Sequence, residues 1–181
     1  NLDRLAAQGM RFTRHYSGAP VCAPSRCVLM TGKHLGHSEV RGNRQAKVTD
    51  PRFDEGQHPL TAGAVTIAQV FRQAGYATGA MGKWGLGPVG STGDPNTKGF
   101  DLFFGYNCQR YAHRYYPAYL WENQQQVPLL GNHWTTKTTF APDLIHLKSL
   151  EFIEDNQHQP FFLFLPLVMP HAELAVPEDE T

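Results

Sequence analysis

The chain has 181 residues, 41% hydrophobic and 18% charged, with no formal net charge. That length suits one domain with a substantial core, and the neutral balance argues against a nucleic-acid or membrane partner. The longest apolar run, residues 161–169, is broken by Pro166 and is far too short to span a bilayer.

Residues 1–9 read as a short helix, with Leu2, Leu5 and Ala6 on one face, Asn1 as cap and Gly9 as stop. Residues 10–16 alternate apolar and polar at Met10, Phe12 and Tyr16, as a half-buried strand does. A Gly- and Pro-containing loop over 17–24 leads to a helix over 25–33, with Pro24 near its first turn, where a missing N–H does no harm. Residues 34–63 lack any sustained period and read as a long loop, a type that is usually functional or mobile. A helix over 65–74 presents Ile67, Val70, Phe71 and Ala74, and Gly75 ends it.

A strand follows over 76–81, then a glycine-rich loop over 82–98 and a short apolar strand or turn over 100–104. Residues 106–119 are unusually aromatic. Residues 119–121 and 126–130 pair as a hairpin across 122–125. The clearest helix covers 142–157, with Leu144, Ile145, Leu147, Leu150, Phe152 and Ile153 in a broad apolar stripe. Residues 161–165 form an apolar strand behind Pro160, read as buried on both faces. Helix, turn, strand and polar loop occur twice, over 65–84 and 142–171. That alternation predicts an α/β fold with a mostly parallel central sheet flanked by helices. In such sheets the site gathers at the carboxyl ends of the strands, so the loops after Met81 and after Leu165 should hold the chemistry.

Three cysteines, Cys22, Cys27 and Cys108, form neither a disulfide framework nor a Cys-x-x-Cys pair. Cys27 and Cys108 read as buried thiols rather than a disulfide. Cys22 lies before a helix N-terminus, with Arg26 four residues on. Both features favour an anion, so Cys22 is either a reactive thiolate or an inert sulfur inside an anion site.

The segment Cys22-Ala23-Pro24-Ser25-Arg26 resembles the Cys-x-Pro-x-Arg maturation signature of type I sulfatases, in which the cysteine becomes Cα-formylglycine. Other segments resemble that family in its order. Asn1-Leu2-Asp3-Arg4-Leu5-Ala6-Ala7-Gln8-Gly9 is similar to the helix before the signature, residues 10–16 to the strand entering it, and Leu29-Met30-Thr31-Gly32-Lys33 to its continuation. Gly82-Lys83-Trp84-Gly85-Leu86-Gly87 resembles the second signature, Gly-Lys-Trp-His-Leu-Gly, with glycine in the histidine's place. Residues 160–165 with Pro170-His171 resemble the strand and Pro-His turn that carry a further active-site histidine.

The resemblance implies an alkaline-phosphatase-like fold and a sulfuric ester hydrolase. Hydrated formylglycine at position 22 would attack sulfur, pass through a covalent sulfo-enzyme intermediate and expel sulfate. Arg26 would stabilise the deprotonated diol, Lys83 would bind a sulfate oxygen, and His171 would protonate the leaving alcohol. Calcium is implied as cofactor. Of its ligands only position 22 has a counterpart here, since Asp179 lies in an acidic tail that reads as solvated surface. The chain is expected to be an internal piece, truncated at both ends, of one catalytic domain, inactive by itself. A formylglycine-generating maturation enzyme is an implied partner. Export to a periplasm or the exterior is implied as well, although no charged-then-apolar leader is visible before Asn1.

For the histidine absent at Gly85, the segment 109–117 offers replacements. His113 is the foremost, with Arg114 beside it, and its rings could stack on a sugar, pointing to a sulfated carbohydrate. His37, Arg41 and Asn43 are further candidates for the pocket wall. Two rival readings stand. One is a phosphate or phosphonate ester hydrolase of the same superfamily. The other is a non-catalytic sulfatase-like binding protein with unmodified Cys22.

Overall fold

The computed structural model describes residues 1–44, 57–133, 135–171 and 173–177. Helices α1 (Leu2–Gln8) and α2 (Cys22–Thr31) open the chain. Helix α3 (Ile67–Gln73) is set by a capping box. The Thr66 hydroxyl accepts from the Gln69 N–H, and the Gln69 side chain accepts from the Thr66 N–H. Then come β1 (Ala77–Lys83), β2 (Leu102–Tyr106), β3 (Tyr119–Glu122), β4 (Gln125–Pro128), α4 (Ala141–Asn156) and β5 (Phe161–Phe164).

The strands form one mixed sheet in the order β4-β3-β2-β1-β5. Strand β1, next to the β5 edge, pairs in parallel with both neighbours, so that Ala80 lies opposite Phe103 and Phe164. The β3–β4 hairpin adds two antiparallel ladders, and β3 alone runs against the other strands. The expected mostly parallel direction therefore holds, with a hairpin at one edge.

Alternation along the strands feeds two cores. Ala80, Phe103, Phe162 and Phe164 face α2 and α3, together with Ala23, Cys27, Met30 and Ala68. Met81, Phe104, Phe161 and Leu163 face α4, together with Ile145 and Phe152. Residue size on β1 follows from this close approach. A Cβ on Gly79 would lie 2.8 Å from the Phe152 ring, so only glycine lets α4 sit this near.

Several expectations change. Residues 10–16 form no strand, and Met10, Phe12 and Tyr16 are 80%, 69% and 81% exposed. Alternation marks one wettable face, but a strand exists only when a neighbouring strand takes up its backbone groups. Helix α2 begins at Cys22 rather than Ser25, because Pro24 fits inside a first turn whose N–H groups have no intrahelical partner. Strand β2 is shifted two residues on from 100–104. Phe100 instead packs edge-on against Trp84 at 5.7 Å. Strand β5 is half-buried, not buried on both faces, because it is an edge of the described sheet.

The long loop over 34–63 holds a short 3₁₀ turn, Leu35–His37, and its stretch 45–56 lies outside the described residues. The acidic tail with Asp179 lies outside them too. Among the described residues Cys22, Cys27 and Cys108 form no disulfide, and the last two are buried as expected. No described helix is long and apolar enough to cross a membrane.

Candidate active site

The loops after β1 and β5 meet the N-terminus of α2, at the carboxyl edge of the parallel strands. Between them lies a cleft of about 340 Å³. Cys22, Arg26, Lys83 and His171 all line it, with Ser25 and Met169 among its remaining walls. The four residues singled out for catalysis are thus brought together.

Each is placed by a local device. Cys22 is the first residue of a ten-residue helix, where free N–H groups and the helix dipole favour negative charge. The next N–H, that of Ala23, donates to Asn43 Oδ1 at 3.1 Å. Arg26 sits one turn on and donates from Nη1 to the Lys83 carbonyl at 2.6 Å, which ties α2 to β1. Lys83 closes β1, its N–H donating to the Pro166 carbonyl at 2.9 Å, and its side chain is buried. The His171 N–H donates to the Tyr115 hydroxyl at 2.6 Å.

The electrostatics are those of a desolvated cationic site. Burial brings Arg26 down to about 10, against an opposing pull from Cys22. Burial likewise lowers Lys83, as does Arg26, while Cys22 opposes the shift. His171 is lowered by desolvation and then by Lys83 and Arg26. His113 is lowered by desolvation, then by Lys83 and His171. The two imidazoles stack with centroids 4.4 Å apart and planes 23° apart. His113 thus stands beside His171, though it lines another cavity and not this cleft.

The other sequence candidates go elsewhere. His37 and Arg41 line a separate cavity with Glu39, Arg44 and His58. Arg41 is also spent on the backbone carbonyls of Ser38 and Gly36. Arg114 lines a third cavity with Tyr116, Lys137 and Glu173. The rings expected to stack on sugar are largely occupied with one another. Tyr111 stacks on Tyr119 at 4.8 Å, and Tyr115 and Tyr116 pack on Phe140. A polar cavity of about 420 Å³, lined by Asn43, Gln57, Gln109, Arg110 and His113, has more to offer a hydroxylated molecule.

Gln109 and Tyr115 entered the sequence reading only as members of the segment 109–117, with no role of their own. Gln109 lies against the open side of Gly85, and Tyr115 holds the His171 N–H. Among the described residues no group of three or more His, Cys, Asp or Glu side chains could hold a metal. The described lining of the cleft offers no carboxylate, so it does not build the oxygen shell that calcium takes.

The Sulfatase family model matches residues 1–180. An arylsulfatase of Hemicentrotus pulcherrimus is 35% identical over 98% of this chain, which covers 34% of that protein. Human arylsulfatase G is 44% identical over 58% of this chain and 18% of its own length. A solved structure of a putative sulfatase from Bacteroides fragilis superposes with a TM-score of 0.70 at 27% identity, over 98% of this chain and 40% of that one. The chain thus spans about a third of the length of the first relative, and on the match across nearly all its residues it belongs to the sulfatase family.

Proposed function

We propose that the protein containing this chain hydrolyses a sulfate ester at Cys22. One observation carries the reading: Cys22, Arg26, Lys83 and His171 line a single cleft at the mouth of α2. An anionic sulfate group has three attractions there, namely Lys83, Arg26 and the helix N-terminus. The half-exposed side chain of Cys22 and the cations around it also suit an oxidised residue that must lose a proton.

Position 22, as hydrated formylglycine, would supply one oxygen to attack sulfur and a second to release the sulfate. Arg26 favours the deprotonated oxygen there by its nearby positive charge. Lys83 offsets the charge that builds on the non-bridging sulfate oxygens. His171 donates the proton that the leaving alcohol needs. His113, stacked on it, supplies the second imidazole that Gly85 cannot. No step is assigned to calcium, whose ligand shell these residues do not form. The alcohol half lies toward the polar cavity of Asn43, Gln109, Arg110 and His113, which suits a carbohydrate. Conversion of Cys22 requires a maturation enzyme acting on the Cys-x-Pro-x-Arg segment, and export belongs to the same reading.

The test is mass analysis of the Cys22 peptide from the native host, with hydrolysis assays of the full-length protein on matched sulfate and phosphate esters. Formylglycine and preference for the sulfate ester are expected. An intact thiol in an inert protein supports a binding role instead, and preference for the phosphate ester supports the rival hydrolase.

A further inference from the structure

The second signature-like segment breaks at Gly85, and the surroundings of that glycine are specific. Its φ is +77°, a conformation that side-chain-bearing residues rarely adopt. A Cβ there would lie 2.9 Å from Gln109 Oε1 and 3.3 Å from Gln109 Cβ. A side chain at 85 and a glutamine at 109 therefore compete for one volume.

Gln109 is 4% exposed. Its Nε2 donates to Asn43 Oδ1 at 2.9 Å, the same oxygen that receives the Ala23 N–H at 3.1 Å. Its own Oε1 has no hydrogen-bond partner among the described residues. An apolar side chain of equal size would fill the space without leaving a buried acceptor unpaired. The amide is thus accounted for by its donor side, the bond to Asn43. That bond spans 66 residues and joins two elements. One is the first turn of α2, beside Cys22. The other is the turn over Tyr111–His113, closed by the Ala112 N–H to the Cys108 carbonyl and the His113 N–H to the Arg110 carbonyl.

We propose that Gln109 is a positioning residue that occupies the side-chain space of position 85 and, through Asn43, holds the His113 turn in register with position 22. This rests on the reading of His113 as the second imidazole. Loss of histidine at 85 and gain of a histidine at 113 become one coupled exchange, with Gln109 as the part that makes the two arrangements mutually exclusive.

The experiment uses the full-length enzyme, with kcat, KM and melting temperature measured for each variant. His113→Ala is expected to lower kcat about 100-fold, the scale of a lost acid–base group. Gly85→His is expected to be at least as damaging while Gln109 is present. Gly85→His with Gln109→Gly frees the space. The backbone strain at a φ of +77° remains, so that pair is expected to recover only part of the activity that Gly85→His loses, and His113→Ala is then expected to cost it less than about threefold. The proposal is overturned if Gly85→His is as active as wild type with Gln109 in place. Equal cost of His113→Ala in both backgrounds overturns it too.

If the paired variant does not fold, a milder cycle decides. Gln109→Met keeps volume and loses the bond to Asn43, as does Asn43→Ala. Each is expected to lower kcat about tenfold, with melting temperature nearly unchanged in Gln109→Met but lowered in Asn43→Ala, which also strips the Ala23 N–H of its acceptor, and with kcat of the double variant no lower than that of either single one. Wild-type kcat in Gln109→Met refutes the positioning role. If His113→Ala leaves kcat unchanged, the reading of His113 fails first and the proposal falls with it.

Discussion

Replacing Lys83 by methionine removes one charge from the centre of the cleft and little else. The side chain is 2% exposed and the backbone is fixed by the bond from its N–H to Pro166. Methionine has a similar length and flexibility, so the volume stays filled. Losing a preorganised charge that faces developing negative charge costs about 100- to 1,000-fold in kcat, or roughly 3–4 kcal/mol. Stability should move the other way. Burial already disfavours the ammonium form, as the lowered pKa of Lys83 records, so an apolar replacement relieves a desolvation cost. Lys83 also lowers both His113 and His171, so its loss lets both imidazoles rise. The assay is aryl-sulfate hydrolysis by the full-length enzyme across pH, alongside thermal unfolding. We expect a large fall in kcat, an equal or higher melting temperature, and a basic limb moved to higher pH. A kcat within about threefold of wild type with an unmoved limb would refute the assigned role.

Other outcomes follow from the same structure. In the free enzyme His171 is lowered from its ordinary 6.5, so kcat/KM should fall on the alkaline side from below that value. A bound sulfate ester offsets Lys83 and Arg26, so the matching limb of kcat should lie at higher pH, and coincident limbs would count against His171 as the acid. Because His113 and His171 are both lowered, their contribution to folding is full above 6.5 and is lost as pH falls through their folded values. Urea unfolding at a series of pH values from 7 downward should show that loss, and its absence in the doubly His→Gln-substituted protein. Phe152→Ala, under Gly79 and edge-on to Phe161 at 5.9 Å, should cost about 3–5 kcal/mol by urea unfolding. Thr66→Ala removes the α3 cap and a 2.5 Å bond to the Lys98 carbonyl, and should cost about 1–2 kcal/mol in the same assay.

What the sequence made legible follows from how local each signal was. The α3–β1 and α4–β5 units were readable because an apolar helical stripe, a turn and a strand sit within some twenty residues of each other. Both were found, with β5 paired directly to β1. The strand read over 10–16 failed because alternation reports a face and not a partner. Phe100 was drawn into β2 because an apolar residue beside a strand looks like part of it, whereas its ring packs on Trp84. In the site, Cys22, Arg26, Lys83 and His171 were legible because each sits in a short motif. His37 and Arg114 were cationic residues near those motifs in sequence, and they line other cavities. The Asn43–Gln109 bond was out of reach, since two carboxamides 66 residues apart carry no pattern.

The charge arrangement explains why so many cations can share so small a space. Lys83 is buried and Arg26 half-buried, and the Nη1 bond from Arg26 to the Lys83 carbonyl holds both beside the first turn of α2. Among the described residues no carboxylate lines the cleft to neutralise them. Burial is the leading cause of the lowered values of Arg26, Lys83, His113 and His171, and neighbouring cations add to it at Lys83 and at the two histidines. On the proposed function, a sulfate ester would bring negative charge to the two cations and, by the same charge, would raise the proton affinity of His171. The acid would then be protonated most readily when there is a leaving group to receive the proton. Gly85 fits this balance. A further cationic ring at that position would add to the repulsion, whereas His113, exposed and stacked on His171, enters the site from its rim, where water shares the charge.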